Sequence, residues 1–206
     1  MARVAAALSG ILFCAVTGTQ SETRNFVIRD EADSIAVEQT TRSANTLTGD
    51  LRLFQEGTNV HYVLHLRPDG STESADVFNE SPGFFTGTIV FGDPSASLGQ
   101  SGAPGRVVRV PANYAPIIGT SMALIDNVLR LHARDTSQAI VIKVLNLRNH
   151  IPGRLTIKRL ARDSVLVDCE SCMRLRMTEE LRIALARDGG IDGAVRVEQH
   201  WTVGRR

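Results

Sequence analysis

The chain has 206 residues, 43% hydrophobic and 22% charged, with 23 basic and 22 acidic side chains. That length and composition suit one folded domain with a sizeable core and argue against intrinsic disorder. A net charge of +1, with no polybasic run, gives no electrostatic footprint for nucleic acid or for an anionic membrane surface.

In chain order, the first eighteen residues stand apart. Met1-Ala2-Arg3 supplies a short positive start, Val4 to Val16 is apolar apart from Ser9 and Gly10, and Val16-Thr17-Gly18 offers a cleavage site. This is the layout of a secretory signal peptide over residues 1–18. An apolar helix of that length reaches about 20 Å, short of a bilayer core of about 30 Å. Cys14 follows Phe13, where a lipid-attachment cysteine needs a small residue before it. The expectation is a single periplasmic or secreted domain over 19–206. No later stretch approaches the ~20 consecutive apolar residues of a membrane span.

From Asn25 to Phe78 the dominant period is two: Ile35 and Val37, then Leu47, Leu51 and Leu53, then Tyr62, Leu64 and Leu66. Such alternation predicts strands with one buried face. The breaks at Ser43-Ala44-Asn45, Glu56-Gly57-Thr58-Asn59 and Pro68-Asp69-Gly70 are too short for parallel crossovers, so this part reads as an antiparallel meander. Residues 92–105 are mostly Gly, Pro, Ser and Ala and read as a mobile loop between the strand-like runs Thr88–Phe91 and Val107–Val110. Ile118, Met122, Ile125, Leu129 and His132 then recur at helical spacing, widened by Ile117, Leu124, Val128 and Leu131. They predict an amphipathic helix over 117–133 that lies against the sheet. Strands return at Ala139–Leu147, Leu155–Leu160, Val165–Val167 and Leu181–Leu185, with a last strand holding Val195, Val197 and Trp201. Arg187-Asp188-Gly189-Gly190 reads as a hairpin turn. The fold class is therefore mainly β: an antiparallel curved sheet, barrel or half-barrel, with one central amphipathic helix.

No set of residues assembles a nucleophile, a base and an oxyanion site, so no catalytic residue is assigned. Cys169-Glu170-Ser171-Cys172 is a redox candidate, because paired thiols three apart form an exchangeable disulfide. It lacks the βαβ context of thioredoxin-like sites, and a disulfide pinning a turn is the simpler reading. The same pair supplies only half a zinc set, and His61 and His65 lie on a strand about 13 Å apart at ~3.3 Å per residue. Neither a metal nor a cofactor is expected. Gly119-Thr120-Ser121-Met122-Ala123 falls one residue short of a nucleophile elbow, and Thr120 or Ser121 reads better as a helix cap. Phe78, Phe84, Phe85 and Phe91 cluster before the loop and Tyr114 precedes the helix. With Met122 and Ile125 they are candidates to line an apolar pocket, the alternative being ordinary core.

The meander 34–78, the Pro111-to-Arg134 segment and the closing Leu181-to-Trp201 hairpin together resemble exported bacterial β half-barrels, the LolA-like lipoprotein-carrier fold and related periplasmic domains. That resemblance is architectural. It implies a non-enzymatic protein binding an apolar ligand (a lipid or acyl chain) or an envelope protein on a curved sheet. The alternatives from other classes are a thiol-disulfide oxidoreductase using Cys169 and Cys172, and a purely structural accessory domain.

Overall fold

The computed structural model describes residues 21–82, 84–92, 106–170, 180–196 and 201–205. The expected signal segment, nearly all of the loop 92–105 and Cys172 lie outside the described residues. Strands β1 (Glu22–Asp30), β2 (Asp33–Arg42), β3 (Thr46–Leu53), β4 (Thr58–Leu66) and β5 (Thr72–Asn79) form the expected meander. Strands β6 (Gly87–Phe91), β7 (Arg106–Val110) and β8 (Tyr114–Ile117) precede the helix α1 (Met122–Leu131). Strands β9 (Ala139–Asn146), β10 (Pro152–Ala161), β11 (Ser164–Glu170), β12 (Leu181–Leu185), β13 (Ile191–Arg196) and β14 (Trp201–Arg205) complete the chain. All fourteen join one sheet in the order β7-β6-β5-β4-β3-β2-β1-β14-β13-β12-β11-β10-β9-β8, curled until it nearly closes into a barrel.

Every pairing is antiparallel except β6–β7 and β8–β9. Both exceptions span long connections, the loop after Phe91 and the helix, each with length enough for a crossover. The seam of the barrel lies between β7 and β8, which the short segment Pro111–Asn113 joins. At the far end of the seam the Phe85 N–H donates to the Arg148 carbonyl at 2.8 Å.

The helix is shorter than the hydrophobic spacing predicts. Tyr114–Ile117 is strand, and Ser121 is the N-cap, with its side chain accepting from the Leu124 N–H. Pro116 has no N–H to donate to a helical turn, which suits it to an edge strand. The expected last strand is likewise two, β13 and β14. Eight consecutive helical residues, Met122 to Leu129, are buried. A helix that lies on one sheet face cannot be buried all round; this one fills the interior, and the sheet wraps it. Register places the N-terminus of α1 toward the end carrying the β3–β4 turn. Its C-terminus lies toward the other end, the upper mouth, with the β4–β5 and β12–β13 turns.

One buried carboxylate ties helix to wall. Glu38, on β2 and fully buried, points inward. Its Oε1 accepts from Ser121 Oγ at 2.5 Å and Tyr62 Oη at 2.7 Å, and its Oε2 accepts from the Ala123 N–H at 2.9 Å. The first turn of α1 contains no acidic residue, so Glu38 supplies from outside the negative charge that a helix N-terminus favours. Burial pushes the Glu38 carboxyl above its ordinary range, against the downward pull of the Ser121, Tyr62 and backbone hydrogen bonds. Burial, then Glu38 itself, raises the Tyr62 phenol well above its usual value.

Tyr62 reaches Glu38 because nothing stands between them. Tyr62 on β4 pairs with Gly49 on β3, and Gly49 pairs with Thr40 on β2. A Cβ at Gly49 would lie 2.1 Å from Tyr62 Cζ, so the ring occupies the space of the missing side chain and lays its hydroxyl across one strand. Two outcomes are expected from urea unfolding. Gly49→Ala displaces the ring and costs about 2 kcal/mol, as overpacking does. Glu38→Ala removes the carboxylate acceptor of two buried hydroxyls and a backbone N–H and costs about 3 kcal/mol or more.

Candidate functional site

Two clusters and two cavities hold the chemistry of the described residues. At the lower end, the Arg148 guanidinium grips Glu56 with both Nη atoms at 3.2 and 2.6 Å and stacks 3.9 Å over the Phe84 ring. Phe85, buried, meets the His150 ring edge-on at 4.2 Å. Burial lowers the His150 pKa and so favours its neutral form.

At the upper mouth, Arg24 of β1 points inward, almost fully buried, among Glu22, Asp126 and Asp188 at 2.6, 2.9 and 2.8 Å. Arg130, a turn after Asp126 on the helix, bonds Asp126 at 2.8 Å and Asp188 at 2.8 Å. Arg42 Nη1 donates to Asn127 Oδ1 at 2.6 Å. Asp126 also accepts from the Ile191 N–H of β13, so this cluster locks the C-terminal half of the helix to both flanks of the wall. Burial is the main reason that the Asp126 carboxyl is raised to about 6. Gly190 is required here, since a Cβ would come within 2.6 Å of Asp126 Oδ1 and 2.7 Å of Arg24 Nη1.

Beside this lock opens a cavity of about 350 Å³. Its floor is apolar, with Leu129, Ile140, Ile157, Val165 and Leu185, while Arg134, Arg159, Arg162 and Arg187 stand around it. The arginines come from four places: the chain after α1, β10, the β10–β11 turn and the β12–β13 turn. Cations near the end of α1 answer to the negative pole of the helix dipole, which accounts for Arg130 and Arg134 but not for three arginines on the wall. Among the described residues none of the four makes an ion pair. Arg159 donates to the Asp135 backbone carbonyl at 3.0 Å. The one carboxylate in the lining, Asp188, is engaged by Arg24 and Arg130. A second cavity, about 430 Å³, opens at the seam between β8, β9 and the helix end, and shares His132 and Ile140 with the first. Compared with family models, with curated proteins and with solved structures, the chain matches none.

The residues singled out from the sequence are spread through the molecule. Phe78 is 54% exposed, on a wall position that faces outward. Phe84 and Phe85 are at the lower end. Phe91, Met122 and Ile125 are buried core, and Tyr114 lines the seam cavity with the Lys143 ammonium 5.8 Å from its ring. Cys169, on β11, is disulfide-bonded, while the other cysteines of the motif and the N-terminus, Cys172 and Cys14, lie outside the described residues. Ser121 does sit between a strand and a helix that crosses to a parallel neighbour, yet its hydroxyl is buried and spent on Glu38 and the cap. His61 and His65 each face a different aspartate, Asp50 and Asp76, across the outer face.

Sequence reading missed the arginines, although a signal was present. Three dipeptides, Arg134-Asp135, Arg162-Asp163 and Arg187-Asp188, fall in three connections at one end of the barrel. Asp135 and Asp188 turn back to bond the Ser137 and Gly190 N–H groups. Such local aspartate bonds shape the turn and leave the adjacent arginine outside it.

Asp126 sets a pH dependence. Its folded pKa of about 6 exceeds the ordinary 3.8, so between those values the folded chain holds a proton that the unfolded chain has lost. Its contribution to stability is therefore complete below the lower value and declines as pH rises through the upper one. Asp126→Asn, compared with the unaltered chain by urea titration, is expected to gain about 3 kcal/mol of relative stability between pH 4 and pH 7. A difference that does not change with pH contradicts the assignment.

Proposed function

We propose that the protein is an exported, non-enzymatic binding protein whose upper mouth holds an amphipathic anion of the lipid or acyl-chain class. The observation that carries this reading is the 350 Å³ cavity, apolar below and lined by arginines that form no ion pair among the described residues. Guanidinium groups outside ion pairs keep their charge available, and an apolar floor contributes about 25 cal/mol for each Å² of chain it covers. The volume falls within the range of small-molecule sites. The seam cavity continues the apolar surface past His132 and Ile140 and extends the space for a chain. The signal-like segment 1–18 supports a periplasmic or secreted address, and the curled sheet fits the half-barrel resemblance. The reading needs no cofactor, nucleic acid or membrane span; among the described residues no helix is long and apolar enough to cross a bilayer.

Titration of the purified chain with a fluorescent fatty acid tests this, alongside native mass spectrometry of the protein as isolated. One equivalent is expected to bind. Arg159→Ala with Arg162→Ala is expected to weaken binding tenfold or more, about 1.4 kcal/mol, while leaving the thermal midpoint within a few degrees. Absence of uptake and an empty mass spectrum would leave the structural accessory role in its place.

A further inference from the structure

We propose that the arginine-lined cavity recognises a doubly charged phosphoryl group, in preference to a carboxylate or any other single charge. The inference rests on the reading of the upper mouth as a ligand site, and it names the head group. Its basis is charge and geometry together. The lining carries Arg134, Arg159, Arg162 and Arg187 against the single carboxylate of Asp188, which Arg24 and Arg130 already hold at 2.8 Å each. A monoanion would leave most of that positive charge unanswered. A carboxylate brings two oxygens in one plane and a single charge, which a bidentate arginine fork can take up whole. A phosphoryl group presents three oxygens and up to two charges, and can engage arginines from different walls at once.

The arrangement of the turns points the same way. Arg162 and Arg187 lie in adjacent connections of the wall, because β11 and β12 are hydrogen-bonded neighbours and the Leu185 N–H donates to the Asp163 carbonyl at 2.8 Å. Arg159 precedes the first of these turns, and its tie to the Asp135 carbonyl links the wall to the segment that carries Arg134. Four cations are thus brought to one opening by connections whose backbones are themselves held in place. Mutual repulsion among them is relieved when an anion enters, which makes a double charge worth more here than at an isolated arginine.

Two sources of such a group exist, a lipid-like phosphate ester and free inorganic phosphate, and the test separates them. At pH 8 and fixed salt, octyl phosphate, octyl sulfate, octanoate and inorganic phosphate are titrated into the full chain by calorimetry. Octyl sulfate has the tetrahedral head of octyl phosphate with one charge fewer. Octyl phosphate is expected to bind at least tenfold more tightly than octyl sulfate or octanoate. In Arg162→Gln with Arg187→Gln, both exposed turn positions, the preference is expected to fall below threefold with an unchanged thermal midpoint. Inorganic phosphate binding as tightly as octyl phosphate supports phosphoryl recognition while removing the apolar chain from the function. Equal affinities for the three octyl compounds overturn this inference and leave the proposed function standing. Binding of none of the four overturns both.

Discussion

The structure depends on a carboxylate placed where water cannot reach. Glu38 joins β2 to the first turn of the only helix among the described residues, through its three near partners, Ser121, Tyr62 and the Ala123 N–H. Hydrophobic burial alone would hold α1 inside the barrel but would let it slide or rotate, since apolar contact is not directional. A directional, fully enclosed acceptor fixes the axial position of the helix and its rotation. The remaining inward residues can then interdigitate in one way.

Rotation and depth matter because the other end of α1 forms part of the upper mouth. With Ser121 pinned at the bottom, Asp126 arrives level with Arg24 and the Ile191 N–H, and Arg130 one turn later meets Asp188. That lock holds the β12–β13 turn, where Gly190 leaves room for the two guanidiniums and Asp188 supplies a counter-charge. Arg187, next in the chain, is thereby left on the cavity side. The cationic opening is thus a consequence of packing decisions made about a helix length away.

Much of the wall was legible in the sequence, because an inward-outward alternation is a local property of each strand. Leu47 to Leu66 and Leu181 to Leu185 carried it openly; in β2 the alternation through Val37 pointed to the wrong face, because Ala36, Glu38 and Thr40 are the residues turned inward. The helix boundary was not, because Ile117 and Ile118 are apolar in a strand end as well as in a helix, and only Pro116 and the Ser121 cap separate the two. The parallel pairings at both edges of the sheet could not be read locally either, since they depend on where long connections return. The residues of the proposed site were hidden for the opposite reason to the core. Aromatic residues such as Phe78 drew attention as a class, yet each sits where its own strand's pleat puts it. The arginines of the mouth belong to turns distant in sequence, and only the sheet order brings them to one opening.

The seam has a mechanical consequence. Along every other junction of the wall, neighbouring strands are zipped by ladders of hydrogen bonds, but β7 and β8 are joined by covalent chain through Pro111, Ala112 and Asn113. A connection of three residues spans at most about 10 Å, so at that end the two margins can part only by that leash. The cylinder can therefore breathe along one line without unrolling. Cutting the peptide there would leave the margins to the Phe85–Arg148 contact at the far end of the seam, whereas a cut in the hairpin between β2 and β3 would leave those strands held by their neighbours.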